Sequence, residues 1–197
     1  MVRSQACHTG RVVLAGLLLS AGCGTEIPRG QINSPRGTTT TVILIRHAER
    51  NEGLDPPLNE EGRARAQVLV DVLGNNGVTS IYSPDLIRNR QTVEPLAEAL
   101  GLPINVVPVE GFANTPAVAD ELVRTVINTH AGGVVLIVGN IGPVTPLQRG
   151  LNEEVYRRLG GTGTSPDRYQ DMYIINIPDE GPARFIRTIY GEPSSLD

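Results

Sequence analysis

Lysine is absent from this 197-residue sequence, and all 17 basic residues are arginine. That absence removes a Walker-type phosphate loop, a Schiff-base lysine and a serine–lysine dyad together. No G-x-S-x-G nucleophile elbow occurs either. Cysteine is nearly as scarce, with only Cys7 and Cys23, and histidine occurs three times. So few soft ligands leave no plausible zinc site, and no metal and no cofactor is expected. The net charge is −4. An acidic chain of this kind lacks the electrostatic footprint of a nucleic-acid binder.

The amino terminus carries its own pattern. Arg3 and Arg11 supply positive charge, Val12 to Leu19 an apolar stretch, and "SAGC" (20–23) a small-residue cleavage site, the order of a signal peptide over residues 1–22. The apolar stretch is too short for a stable membrane span. "LLLSAGC" resembles the lipobox of bacterial lipoproteins, although Ser20 stands where leucine is usual. The resemblance implies that Cys23 is lipidated and that the protein is exported to the cell envelope, touching a membrane through that lipid alone. Plain secretion, with Cys23 lost or free, is the alternative. Cys7 would leave with the signal, so the mature chain would hold no internal disulfide. Removal takes two arginines and no acid, and the net charge of −4 becomes −6.

Residues 23–40 are rich in Gly, Pro, Ser and Thr without periodicity and read as a flexible tether. Residues 41–197 have the size of one domain with one core. "TVILI" (41–45) is an apolar strand. Residues 59–73 place Ala64, Val68, Leu69, Val72 and Leu73 on one helical face behind Asn59 as N-cap. A strand follows at 78–82, then a helix at 84–100 with Pro95 expected to kink it, and a strand at 104–109. Thr115 as N-cap and Pro116 at the first helical position open a further helix. "GVVLIVG" (133–139) has the continuous apolar character of a central parallel strand. "DMYIINI" and "ARFIRTIY" flank the turn "PDEGP" as a terminal hairpin. Such alternation predicts a three-layer α/β/α sandwich with a mostly parallel central sheet, whose ligands sit beyond the carboxyl ends of the strands.

Arg46 and His47 fall at such an end, in "LIRHAER". After the second strand, "SPDLIRNRQT" puts Arg88 in the first turns of a helix, where unpaired N–H groups favour anions and a guanidinium fork can grip two oxygens. "LIRHAER", "PPLNEEGRARAQVL", "IYSPDLIRNRQTVEPLAEALG" and "VVLIVGN" occur in order at suitable spacing, and together resemble the histidine phosphatase superfamily, the phosphoglycerate-mutase-like fold. The resemblance implies that His47 is a nucleophile that becomes phosphorylated, that Arg46 and Arg88 hold phosphate, and that Arg50 lies near the pocket. It also implies a phosphorylated small molecule or phosphoprotein as substrate.

Glu110, on the same rim after the third strand, is the candidate proton donor to the leaving group, with a solvated loop carboxylate as the alternative. Glu49 is a second candidate, better suited to pairing with Arg50 or another rim arginine. Asp120 and Glu121 are expected to be solvated, "NEE" (152–154) and "PDE" (178–180) to be solvated turns or helix starts, and His130 an exposed residue at a helix C-terminus. "GGTGTSPD" (160–167) is a loop near the rim or a connector. One departure matters: Asn140 stands where the family carries a second histidine, "VGN" in place of "V-G-H". An amide can donate to a phosphate oxygen without charge assistance, and losing one such charged donor commonly costs about 10²–10³ in rate. The expectation is an exported, weak phosphomonoesterase, and the alternative a phosphate-binding protein that does not turn over.

Overall fold

The computed structural model describes residues 32–111, 113–142 and 148–195. Its elements run β1 (Thr39–Arg46), α1 (Glu60–Leu73), β2 (Val78–Pro84), α2 (Ile87–Leu100), β3 (Ile104–Val107), α3 (Thr115–Thr129), β4 (Val134–Gly139), α4 (Leu151–Arg158), β5 (Asp171–Pro178) and β6 (Arg184–Ile189). The six strands form one sheet in the order β3-β2-β4-β1-β5-β6. β1 to β4 are mutually parallel, and β5 and β6 add an antiparallel hairpin beside β1. The expected mixed α/β architecture is therefore observed.

Two apolar clusters explain why β1 is an uninterrupted hydrophobic run. Val42 and Leu44 face α3 and α4 on one side of the sheet, while Ile43 and Ile45 face α1 and α2 on the other. Successive strand side chains point to opposite faces, so a strand covered on both sides must be apolar at every position. Parallel pairing sets Arg46 opposite Gly139, which brings the carboxyl ends of β1 and β4 together at one edge.

Several sequence expectations shift. Residues 32–40 of the expected tether pack onto the domain: the Asn33 amide donates to the carbonyls of Pro178 and Gly181, and the Ser34 hydroxyl to Ile177 O at 2.6 Å. Thr39 and Thr40 already belong to β1. The signal segment and Cys23 lie outside the described residues. β2 runs on to Pro84 because that residue still pairs with Val107, so α2 starts at Ile87 rather than at residue 84. It then continues as one helix through Pro95 and closes on Gly101, whose φ of 65° suits a left-handed C-cap. Asn114, not Thr115, is the N-cap of α3, and the Thr115 hydroxyl turns back to Gly111 O at 3.1 Å. Asn59 caps α1 as expected, its side-chain oxygen accepting from Gly62 N at 2.8 Å.

The acidic residues expected to be solvated divide. Asp120 is buried and accepts from Arg158 Nε at 2.6 Å, Glu154 is buried against the same guanidinium, and Asn152 is wholly buried. Arg158 thereby ties α3 to α4, since taking one of these charges out of water requires the others. Glu121 does remain exposed. His130, the C-cap of α3, is half-buried and meets the Tyr82 hydroxyl at 2.9 Å.

Candidate active site

His47 leaves the end of β1 with its backbone held in register, its N–H donating to Gly139 O at 3.1 Å. The side chain is 3% exposed. Its Nδ1 lies 2.9 Å from Ala48 O. A carbonyl can only accept, so Nδ1 carries the proton and the Nε2 lone pair is left for chemistry. Burial pushes the imidazole pKa down to about 3, and the neighbouring Arg46, Arg88 and Arg50 charges push the same way against the Ala48 bond. The ring is therefore neutral at ordinary pH. A neutral imidazole is what a nucleophile requires.

Three arginines surround it. The Arg46 guanidinium lies 3.8 Å from the centre of the Tyr169 ring and donates from Nη1 to Asp167 O at 2.6 Å. Tyr169 also meets the His47 ring edge-on, with centroids 5.7 Å apart. One aromatic side chain thus braces both residues of the Arg-His pair. Arg88, in the first turn of α2, donates from Nη1 to Asp55 at 3.0 Å, while its Nε is buried with no hydrogen bond. Burial pulls the Arg88 pKa below the usual guanidinium range despite Asp55. Arg50 is half-buried and donates to Asn51 O at 2.9 Å.

Asn140 follows β4 and is 8% exposed. Its side-chain oxygen accepts from Leu151 N at 3.3 Å at the start of α4, which leaves the amide NH₂ as the end able to donate elsewhere. Gly139 must be glycine, because a Cβ there would stand 2.2 Å from Asn152 Oδ1. Asn152 in turn donates to Ile45 O at 3.2 Å and Pro166 O at 3.1 Å, joining β1, α4 and the glycine-rich loop at the site. That loop is thus a rim element, since Arg46 reaches it at Asp167.

Glu49 does not pair with Arg50. It is fully buried and held by Arg65 of α1, with Nε 2.9 Å from both carboxylate oxygens and Nη2 2.6 Å from Oε1. Gly62 permits this approach, for a Cβ on it would lie 2.0 Å from Glu49 O. Thr92 of α2 accepts the Ala48 N–H at 2.9 Å, and the Asn89 amide donates to Gly139 O at 3.0 Å. The His47 segment is therefore anchored from α1, α2 and β4. Glu110 is exposed beyond β3, its backbone N–H donating to the Asn114 side-chain oxygen at 3.3 Å.

Asp55, Arg65, Asn89 and Tyr169 all contribute without having been singled out in the sequence, and Asn152 contributes although it was expected in a solvated turn or helix start. Only Tyr169 had a signal, as an aromatic residue just past a glycine-rich rim loop. A cavity of about 480 Å³ lies between β3 and α3 and is lined by Tyr82, Val106, Leu122 and their neighbours. None of its lining residues belongs to the cationic set. Among the described residues, no group of three or more His, Cys, Asp or Glu side chains could hold a metal ion.

Residues 42–114 match the model of the histidine phosphatase superfamily (branch 1). An 8-oxo-(d)GTP phosphatase of Mycolicibacterium smegmatis is 32% identical over 115 residues, which cover 53% of this chain and 36% of that protein. The chain thus spans about a third of that relative's length. The protein histidine phosphatase SixA, solved with tungstate, is 16% identical and superposes with a TM-score of 0.59 over 76% of this chain and 96% of its own. YhfR of Bacillus stearothermophilus is 21% identical, with a TM-score of 0.55 over 80% and 100% of the two chains. At such identities the structural likeness speaks for the fold. The family model matches 73 of the 197 residues, and the structural neighbours add a shared fold.

Proposed function

We propose that this chain belongs to the histidine phosphatase superfamily and is a phosphomonoesterase that works through a phosphohistidine on His47. The observation that carries the reading is the neutral, oriented imidazole of His47 set among Arg46, Arg50 and Arg88. Nε2 attacks phosphorus, the phosphorus–oxygen ester bond breaks, and its electron pair leaves with the alkoxide. Glu110 is the candidate donor of the proton that the alkoxide takes. Water, giving a proton to the Glu110 carboxylate, then attacks phosphorus, the phosphorus–nitrogen bond breaks with its electron pair returning to Nε2, and phosphate departs with the imidazole and Glu110 restored. Guanidiniums act on the equatorial oxygens, where phosphoryl transfer concentrates charge. Asn140 contributes a neutral donor in place of a second imidazolium, which makes turnover slow. The substrate is a phosphorylated small molecule or phosphoprotein. Hydrolysis of a generic aryl phosphate by the wild-type protein, and its loss in His47→Ala, is the test; equal rates would overturn the assignment.

A second reading is binding without hydrolysis. Asn140 favours it, because the side chain is uncharged and its oxygen is committed to Leu151 N. Tight phosphate binding with no turnover above background would select this reading.

Export and lipid anchoring belong to the same proposal and rest on the order of charge, apolar stretch and small residues over positions 1–23. Expressed in a bacterium, the wild-type chain should partition with membranes and Cys23→Ser should not. Equal solubility of the two would contradict the anchor.

A further inference from the structure

Large apolar side chains standing singly on a surface are ordinary, but several gathered at one site mark something that covers them. Three of the exposed large apolar residues here are chain neighbours of residues that border the cationic pocket. Leu54 is fully exposed and precedes Asp55; Ile87, 47% exposed, precedes Arg88; Ile141, 37% exposed, follows Asn140. The Asp55 carboxylate accepts from Ile87 N at 3.1 and 3.2 Å while it holds Arg88 Nη1 at 3.0 Å. Asp55, the residue after Leu54, is thereby held beside the first turn of α2. Ile141 lies two residues past Gly139, whose carbonyl takes both the His47 N–H and the Asn89 amide.

We propose that Leu54, Ile87 and Ile141 form an apolar rim around the phosphate seat that takes a hydrophobic leaving group, so that the preferred substrates are alkyl or aryl phosphates. The inference rests on the phosphate-site reading above. A polyhydroxylated leaving group needs donors and acceptors at the mouth, and these three positions offer none. Asp55, the polar group among them, is already committed to Arg88 and to the helix N-terminus. A hydrocarbon chain gains from contact with all three. Burial of one methylene is worth about a fourfold gain in affinity, and partial cover by an open rim brings about twofold to fourfold.

The test is calorimetric titration of the full-length protein with inorganic phosphate and with methyl-, butyl- and octylphosphonate. Phosphonates carry no ester bond to that carbon, so binding is read apart from turnover. Affinity should rise about twofold to fourfold per methylene over the first few carbons. The double variant Leu54→Ser/Ile87→Ser should flatten that series while leaving methylphosphonate affinity and the melting temperature unchanged. Methylphosphonate binding with a flat series in the wild type overturns the rim and leaves the phosphate site standing. A chain-length gain that survives in the double variant also overturns the rim. Failure of phosphate and every phosphonate to bind overturns the phosphate site, and the rim with it.

Discussion

Replacing Arg65 by methionine isolates the ion pair that anchors the His47 segment to α1. Arg65 is 5% exposed and Glu49 fully buried. The guanidinium makes three contacts to the Glu49 carboxylate, at 2.9, 2.9 and 2.6 Å, and donates to the Tyr190 and Glu192 carbonyls at 2.8 Å each. Among the described residues the Glu49 side chain has no other partner. Methionine would fill much of the volume but strand a buried carboxylate and two carbonyls. Breaking a buried pair from one side costs about 3–5 kcal/mol, against a typical domain stability of about 5–15 kcal/mol. For a domain of this size that is a fall in Tm on the order of 10 °C. Removing both charges with Glu49→Leu/Arg65→Met should recover most of the loss, because the penalty lies in the unpaired charge. Urea denaturation of the four proteins of the cycle measures this. Because Glu49 is two residues from His47, the single variant should also lose kcat under conditions where it is folded. A cost for Arg65→Met below about 1 kcal/mol, or additivity of the two substitutions, would refute the reasoning.

Three further outcomes follow from the site. The folded pKa of His47, about 3, lies below the unfolded value of about 6.5, so the unfolded chain binds more protons between them. Its stabilising contribution is complete above about pH 6.5 and is lost as pH falls towards 3; NMR of the ring should show no titration between pH 5 and 8, and a midpoint near 6.5 would contradict the buried neutral ring. Asn140→His should raise kcat by part of the factor of about 10²–10³ that one charged donor supplies, most strongly below the new histidine's pKa, and only while His47 is present. An unchanged rate in the folded variant would favour binding without hydrolysis. Turnover should survive a strong chelator, and loss in EDTA restored by a divalent ion would show a different mechanism.

The framework was legible because periodicity reports which faces are covered. The continuous run at 133–139 predicted a central parallel strand, Asn59 predicted the start of α1, and the strand ends together with the family resemblance pointed to Arg46, His47 and Arg88. What escaped was pairing. Asp120, Glu154 and Glu49 carry the same letters as solvated acids, and only the arrival of Arg158 from α4 or Arg65 from α1 distinguishes them. Asp55 looks like a turn residue until α2 delivers Ile87 N and Arg88 to it. Residues 32–38 have tether composition yet are bonded to the β5–β6 turn, a contact between segments more than a hundred residues apart. Boundaries moved for a similar reason, as Pro84 stays in β2 only because Val107 lies beside it.

The central claim is that His47 carries the phosphoryl group on the nitrogen that Ala48 does not hold. The most direct measurement mixes the full-length protein with an aryl phosphate, quenches under alkaline conditions that preserve phosphohistidine, and locates the modification by mass spectrometry and ³¹P NMR. One phosphoryl group on His47 Nε2, absent from His47→Ala, is the predicted result. Wild-type turnover in His47→Ala, or a phosphoryl group trapped on any other residue, would contradict it.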